Sequence, residues 1–312
     1  MSLQPLQRIE EQDPDLAIIR KRIVTSFLLW GGLAVFSLFL GGAIGLIIAP
    51  LAVGWIILQT IIALYHRTQI EGFQHYRQTE ALLSLHALID IRYPLPPLRL
   101  WVISPDFAAL LATYIRQHQP KTIVELGSGA STVIGGYALE QTPGGHIYSI
   151  EHLREFVDSS QRTLQKHGLS DAATIIHAPL TPYHIADETP EDGQDERRWY
   201  DTTQFGHITE IDLLVVDGPP EDTYELARYP AMRFFYDRLN DGALIIIDDA
   251  MREHDYTMIN RWLDEFDLEV VEHLANEKGA AILRKTAHTS VLSSENITSS
   301  EEDQAESSSS PK

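Results

Sequence analysis

The chain has 312 residues, 44% hydrophobic and 22% charged, enough apolar material for one large core or two small ones and too much for wholesale disorder. Forty-four Asp and Glu against 24 Lys and Arg leave a formal charge of -20, which argues against a broad grip on nucleic-acid phosphates, because that binding depends on cations releasing counterions. There is no cysteine, so disulfides, thiolate catalysis and cysteine metal sites are excluded, and any metal must rest on oxygen or imidazole.

A short N-terminal segment, residues 1–22, ends in Arg20-Lys21-Arg22. From Ile23 to Tyr65 the only ionisable group is the terminal tyrosine. One bilayer crossing takes about 20 apolar residues, so the run predicts a transmembrane hairpin of two helices, 23–43 and 46–65, punctuated by Gly41-Gly42 and Ala49-Pro50. It is too long for a signal peptide. Gly31, Gly32, Gly41, Gly42 and Gly45 suit close helix contact or are simply tolerated. The basic flanks, closed by His66 and Arg67, put both ends on the cytoplasmic side, with the rest of the chain in the cytosol beneath a plasma (inner) membrane.

Over 66–92, Ile70, Phe73, Tyr76, Leu82, Leu83, Leu85, Leu88 and Ile89 form a helical stripe, suited to a linker helix or to pairing with a second copy as a homodimer. Tyr93-Pro94-Leu95-Pro96-Pro97 ends that helix, and a globular domain is expected over 93–286. Its strands are Thr122 to Leu126, His146 to Ile150, Ala173 to His177, Asp212 to Val216, Ala243 to Ile247, Leu268 to Glu272 and Ala280 to Leu283. Helices are expected from the cap Ser104-Pro105-Asp106 and near 131–140, 152–167, 224–239 and 254–265. Such alternation gives an α/β fold, a mostly parallel sheet with helices on both faces and ligands beyond the carboxyl ends of the strands. Residues 287–312 are Ser- and Glu-rich and read as a disordered tail. Its Asn296-Ile297-Thr298 acceptor pattern would not meet glycosylation in the cytosol.

The strand ends carry the chemistry. The first delivers Val124-Glu125-Leu126-Gly127-Ser128-Gly129-Ala130-Ser131-Thr132, a loop that lets a ligand approach backbone and free helix amides. The second ends at Glu151, at the spacing where a carboxylate accepts from a ribose diol; an ordinary turn with a glutamate favoured at a helix start is the simpler alternative. The fourth and fifth end in Asp217-Gly218-Pro219-Pro220 and Asp248-Asp249, carboxylates whose mutual repulsion a ligand cation could neutralise.

In this order, E-L-G-S-G-A-S-T, S-I-E-H, V-V-D-G-P-P and I-I-D-D resemble the class I S-adenosylmethionine-dependent methyltransferases, over residues 95–285. The resemblance implies a Rossmann-like seven-stranded sheet preceded here by the two transmembrane helices. It assigns Glu125, Gly127, Ser128, Gly129, Ser131 and Thr132 to the methionine part of S-adenosylmethionine, Glu151 to the ribose, and His152 and Ala178 to the adenine, although the family often has an acidic residue after strand three. Asp217 would lie beside the cofactor. Asp217, Asp248 and Asp249 match the positions that hold a divalent metal, Mg2+ or another, in catechol-type O-methyltransferases, with Asp217 and Asp248 as catalytic residues. The lysine which that type carries after the first aspartate is replaced by Gly218-Pro219-Pro220; without a metal, Asp217 would simply lie near the sulfonium and Asp248-Asp249 would cap the next segment. On the acceptor side stand Trp199, Tyr200, Asp201, His184 and His254, the histidines as candidate bases, and the acidic run Asp187 to Glu196 is a solvated loop or a lid. The activity implied is membrane-anchored O-methylation of a small or lipid-associated acceptor. A noncatalytic nucleoside-binding scaffold is the alternative; a nicotinamide-dependent oxidoreductase is disfavoured by Ser131, where close helix–strand packing calls for glycine.

Overall fold

The computed structural model describes residues 43–99, 102–142, 144–183, 197–224 and 226–287, with scattered positions between 21 and 36. His184, the run from Asp187 to Glu196 and nearly all of the Ser/Glu-rich tail lie outside the described residues, as does much of the first apolar stretch.

Helix α1 runs from Ala43 to Leu88 as one element. The second expected span and the linker helix are therefore continuous; Gly45, expected in the turn between the two spans, is already helical, and Pro50 sits inside the helix. Its ring removes one backbone hydrogen bond, and in this long apolar run the other amides bond within the segment. Leu51, Ile57, Ile61 and Leu64 are exposed, and one helix among the described residues is long and apolar enough to cross a membrane by length and composition. From the first apolar stretch, the Trp30 ring lies 5.9 Å from that of Trp55.

The α/β fold begins at the end of α1, where Leu85 and, just past the helix, Ile89 are buried in the core. Helix α2, Pro105–His118, has Ser104 at its cap position and proline in its first turn. Then come β1 Thr122–Leu126, α3 Ala130–Leu139, β2 His146–Glu151, α4 Arg154–His167 and β3 Ala173–His177. A small hairpin, β4 Leu180–Pro182 with β5 Arg198–Tyr200, precedes β6 Ile211–Val216. The chain closes with α5 Pro230–Phe235, β7 Leu239–Asp248, α6 Glu253–Glu265, β8 Leu268–Leu274 and β9 Ala280–Lys285.

The helix expected over 224–239 is shortened to α5 and a following single 3-10 turn. Pro230 is the reason: it fits the first turn of a helix but not an interior position. Hairpin β4–β5 was not anticipated, because three-residue strands carry too little periodicity to read.

Seven strands form one sheet in the order β3-β2-β1-β6-β7-β9-β8. All pairs are parallel except those made by β9, which runs antiparallel to both β7 and β8. Alternate side chains of each strand enter two cores. Ile123, Ile147, Leu213 and Ile246 pack under α1, α2, α3 and α4; Val124, Ile150, Leu214 and Ile247 pack under α5, α6 and the hairpin. Each such buried side chain contributes roughly 1.5–3 kcal/mol. Parallel strands aligned this way put Leu126, Glu151, His177, Val216 and Asp248 at one edge, where the order reverses between β1 and β6.

Candidate active site

At that edge the glycine loop and the β2 carboxylate meet. Glu151 Oε2 accepts from the Ser128 amide at 3.1 Å and the Ser128 hydroxyl at 3.2 Å, while its Oε1 accepts from the Leu153 amide at 2.9 Å. Burial alone would raise this carboxyl, but the bonds from His152, Leu153 and Ser128 outweigh it and hold the group below the ordinary range. Ser128 is steadied from behind by Ser160, 2.9 Å away. Gly127 adopts φ +96, a backbone conformation suited to glycine, and its amide bonds the Ile150 carbonyl at 2.9 Å. Beside it, a Cβ built on Gly129 would meet nothing within 4 Å. The loop is thus open where a ligand would approach it.

Glu125 faces the other way, into the fold. Thr132 Oγ1 donates to Glu125 Oε2 at 2.5 Å and accepts from the Gly129 amide at 3.1 Å, so the buried carboxyl braces the first turn of α3. Burial pushes it up to about 7, hydrogen bonds from Ser131, Thr132 and Ser149 only partly offsetting. Ser131 and Thr132 are themselves buried. Ala178 is buried beneath the site, its amide bonded to the Glu151 carbonyl at 2.8 Å, and the His152 ring meets Tyr200 edge-on at 6.2 Å.

On the far side of the strand reversal, Asp217, Asp248 and Asp249 bring carboxylate oxygens within 4.8 Å of one another. Three cations that the sequence reading missed surround them. Arg228, only 5% exposed, donates to the carbonyls of Asp217 at 2.7 Å and Asp248 at 2.9 Å and to Asp249 Oδ2 at 3.1 Å, and lies 3.6 Å from Asp255. Arg252 reaches Asp249 at 3.0 Å. Lys278, from the β8–β9 loop, stands 3.7 Å from Asp249 and 3.9 Å from Asp248, so an ammonium absent after Asp217 arrives from elsewhere.

The three carboxyls differ in charge state. Burial and the two neighbouring aspartates drive Asp248 well above its ordinary range. Asp217 is pushed up to about 6 by burial, which Arg228 only partly relieves, whereas Asp249, though buried, is held down by Arg228, Lys278 and Arg252. Both oxygens of Asp248 and Oδ1 of Asp249 have no hydrogen-bond partner. The Tyr200 hydroxyl, also buried without one, hangs over Gly218, where a Cβ would come within 2.5 Å of it.

The other acceptor-side expectations fare differently. Trp199 is fully buried against Tyr183, Phe205, Phe234 and Phe235 and is core, because the hairpin turns it inward. Asp201 caps a 3-10 turn, accepting from the Thr203 amide at 3.1 Å. His254 lies beside Arg228, Asp255 and Met258 around a small cleft. A cavity of about 610 Å3 lies between α1 and the 91–99 segment, and none of the strand-end carboxylates lines it.

Residues 124–250 match the family model of a methyltransferase domain. That stretch holds every residue of the glycine loop, Glu151 and the three aspartates; Arg252, Asp255 and Lys278 fall beyond it. No curated protein matches the chain. Among solved structures, the SAH-bound methyltransferase PaMTH1 of Podospora anserina is 14% identical, covering 72% of this chain and 96% of its own, with a TM-score of 0.49. The O-methyltransferase TomG of Streptomyces achromogenes, involved in tomaymycin synthesis and solved with SAM, is 16% identical, covering 67% and 89%, with a TM-score of 0.44. A Bacillus cereus O-methyltransferase in complex with SAH is 13% identical, covering 67% and 90%, with a TM-score of 0.43.

Proposed function

We propose that the chain is a membrane-anchored S-adenosylmethionine-dependent methyltransferase acting on a hydroxyl of a small or lipid-associated acceptor, from the cytoplasmic side of the plasma (inner) membrane. The observation that carries this reading is the closure of Ser128 onto Glu151 around the open space at Gly129. There Gly127, Ser128 and Gly129 would hold the methionine part, braced by Glu125, Ser131 and Thr132. Glu151 would exchange its bonds to Ser128 for the ribose hydroxyls, and His152 and Ala178 would border the adenine. When bound, the sulfonium supplies a methyl group by displacement: the acceptor oxygen forms the new C–O bond and the C–S pair returns to sulfur.

The chain's own work is to align the acceptor, exclude water and take up the hydroxyl proton. Asp217, open to the crevice on one side and ionised at neutral pH, is the group assigned to that proton. The unpartnered oxygens of Asp248 and Asp249 give a divalent cation oxygen ligands that protein donors leave free. Asp217, Asp248 and Asp249 would hold it, with Asp248 losing its proton and Lys278 stepping aside. Such a cation would make the acceptor hydroxyl more acidic.

Calorimetry tests the cofactor. The full chain should bind S-adenosylmethionine, and Gly129→Val and Glu151→Ala should lose it; unchanged affinity in both variants would reject the reading. A Cβ at Gly129 meets no protein atom within 4 Å, so Gly129→Ala serves as the milder companion variant, in which a loss of binding would not come from a clash with the protein.

A further inference from the structure

Hydrogen bonds fix how α1 enters the catalytic fold. Arg77 donates to the Ala275 carbonyl at 2.8 Å and Gln78 to Asp106 at 2.8 Å, and both partners lie at the level of the strand carboxyl ends, after β8 and at the start of α2. Farther along α1, the Leu88 carbonyl accepts from Arg116, in the last turn of α2, at 2.7 Å. Helix α1 therefore passes down the sheet from the active-site edge to the opposite edge. Its apolar turns, up to Tyr65, project from the active-site side. Residues 66–77 separate the two and span roughly 18 Å at about 1.5 Å per residue.

A second observation points the same way. Leu153 (39% exposed) and Phe156 (50%) follow β2, and Met251 (65%) and Tyr256 (58%) follow β7, so all four rim the edge that carries the site. After residue 94 the other large exposed apolar side chains among the described residues are Val270 and Val271, on edge strand β8.

We infer that the crevice opens toward the bilayer and that this apolar rim faces the lipid surface, an inference that rests on the membrane-anchor reading above. Of the roughly 18 Å, about 6 Å is taken by the headgroup layer. The remaining gap of about 12 Å exceeds the Debye length of about 8 Å at physiological salt, which mutes repulsion between the acidic chain and anionic lipids; the rim faces the headgroups across this gap and does not insert among them. The crevice is then entered from the lipid side.

The lack of native cysteine allows single labels on the full chain. Met251→Cys and Tyr256→Cys mark the rim; Asp241→Cys marks the opposite edge, where its side chain is 62% exposed. Each variant is labelled with a fluorophore and reconstituted in vesicles of phosphatidylethanolamine and phosphatidylglycerol doped with an acceptor-labelled lipid. Both rim labels should lie about 20 Å nearer the headgroup plane than the label at 241, from some seven strand residues at about 3.3 Å each. Equal or reversed distances overturn the inference. Alkaline extraction of the protein from the vesicles would remove the anchor and the inference with it, while S-adenosylmethionine binding by calorimetry judges the catalytic reading separately.

Discussion

A buried carboxyl that keeps its proton ties stability to pH in a calculable direction. Glu125 titrates at about 7 in the fold against an ordinary 4.5, so between those values the folded state holds more protons than the unfolded. Its stabilising contribution is complete below about 4.5 and is lost as pH rises through 7. Glu125→Gln mimics the protonated form and keeps the partners Thr132 and Ser149. In urea titrations the wild type should weaken relative to this variant by up to about 3 kcal/mol from pH 4.5 to 8; parallel curves would show that Glu125 is ionised throughout. Arg228 makes the opposite case. It serves Asp217, Asp249 and Asp255 at once, and Arg228→Met would strand those carboxylates, at a cost of about 3–5 kcal/mol read as a lower unfolding midpoint. The aspartates were legible in the sequence because each directly follows an apolar strand. Arg228 and Lys278 were not, because a cation that neutralises a cluster from a distant loop leaves no local pattern.

Between elements, the β8–β9 loop joins α1 to the acidic cluster. Arg77 holds Ala275, Asp106 accepts from the Glu277 amide at 2.9 Å, Arg99 pairs with Glu277, and Lys278 reaches both the Val102 carbonyl and the aspartates. Gln78 completes the link: its amide donates to Asp106 Oδ2 while its carbonyl accepts from the Asp106 backbone. Gln78→Ala should leave the half-buried Asp106 backbone amide without its partner, while Asp106 Oδ2 keeps the Glu277 amide, at about 1 kcal/mol or somewhat more, seen as a lower midpoint in thermal unfolding of the detergent-solubilised chain. No change would mean that water replaces the amide. Gly279 lies in the same loop with φ +78, and a Cβ there would meet the Met251 backbone amide at 2.8 Å, so Gly279→Ala displaces the turn that carries Lys278. Regular strands and helices were readable here because their periodicity is local. The continuity of α1 was hidden: the change from apolar to polar composition at His66 reads as the end of a span and the start of a linker, whereas the helix runs through it from Ala43 to Leu88.

For the molecule as a whole, the question is where the α/β unit begins. Sequence composition placed a boundary near 92, at the proline-rich segment. Packing draws a different line for the core, since Leu85 and Ile89 are buried with Phe107, Leu111 and Tyr137, and Arg92 bridges Glu140 and the His167 carbonyl. Upstream of residue 74, by contrast, α1 is exposed almost throughout and gives the sheet nothing to pack on. A chain starting at 66 should therefore fold with the unfolding midpoint of the full chain in detergent. One starting at 93 loses two fully buried aliphatic side chains, each worth roughly 1.5–3 kcal/mol, as well as the Gln78 and Arg77 bonds. Against a typical total of 5–15 kcal/mol, that loss is large enough to populate unfolded protein at ambient temperature. Side-by-side circular-dichroism melts of the two truncations decide it, and equal midpoints would make α1 a tether with no structural share in the α/β fold.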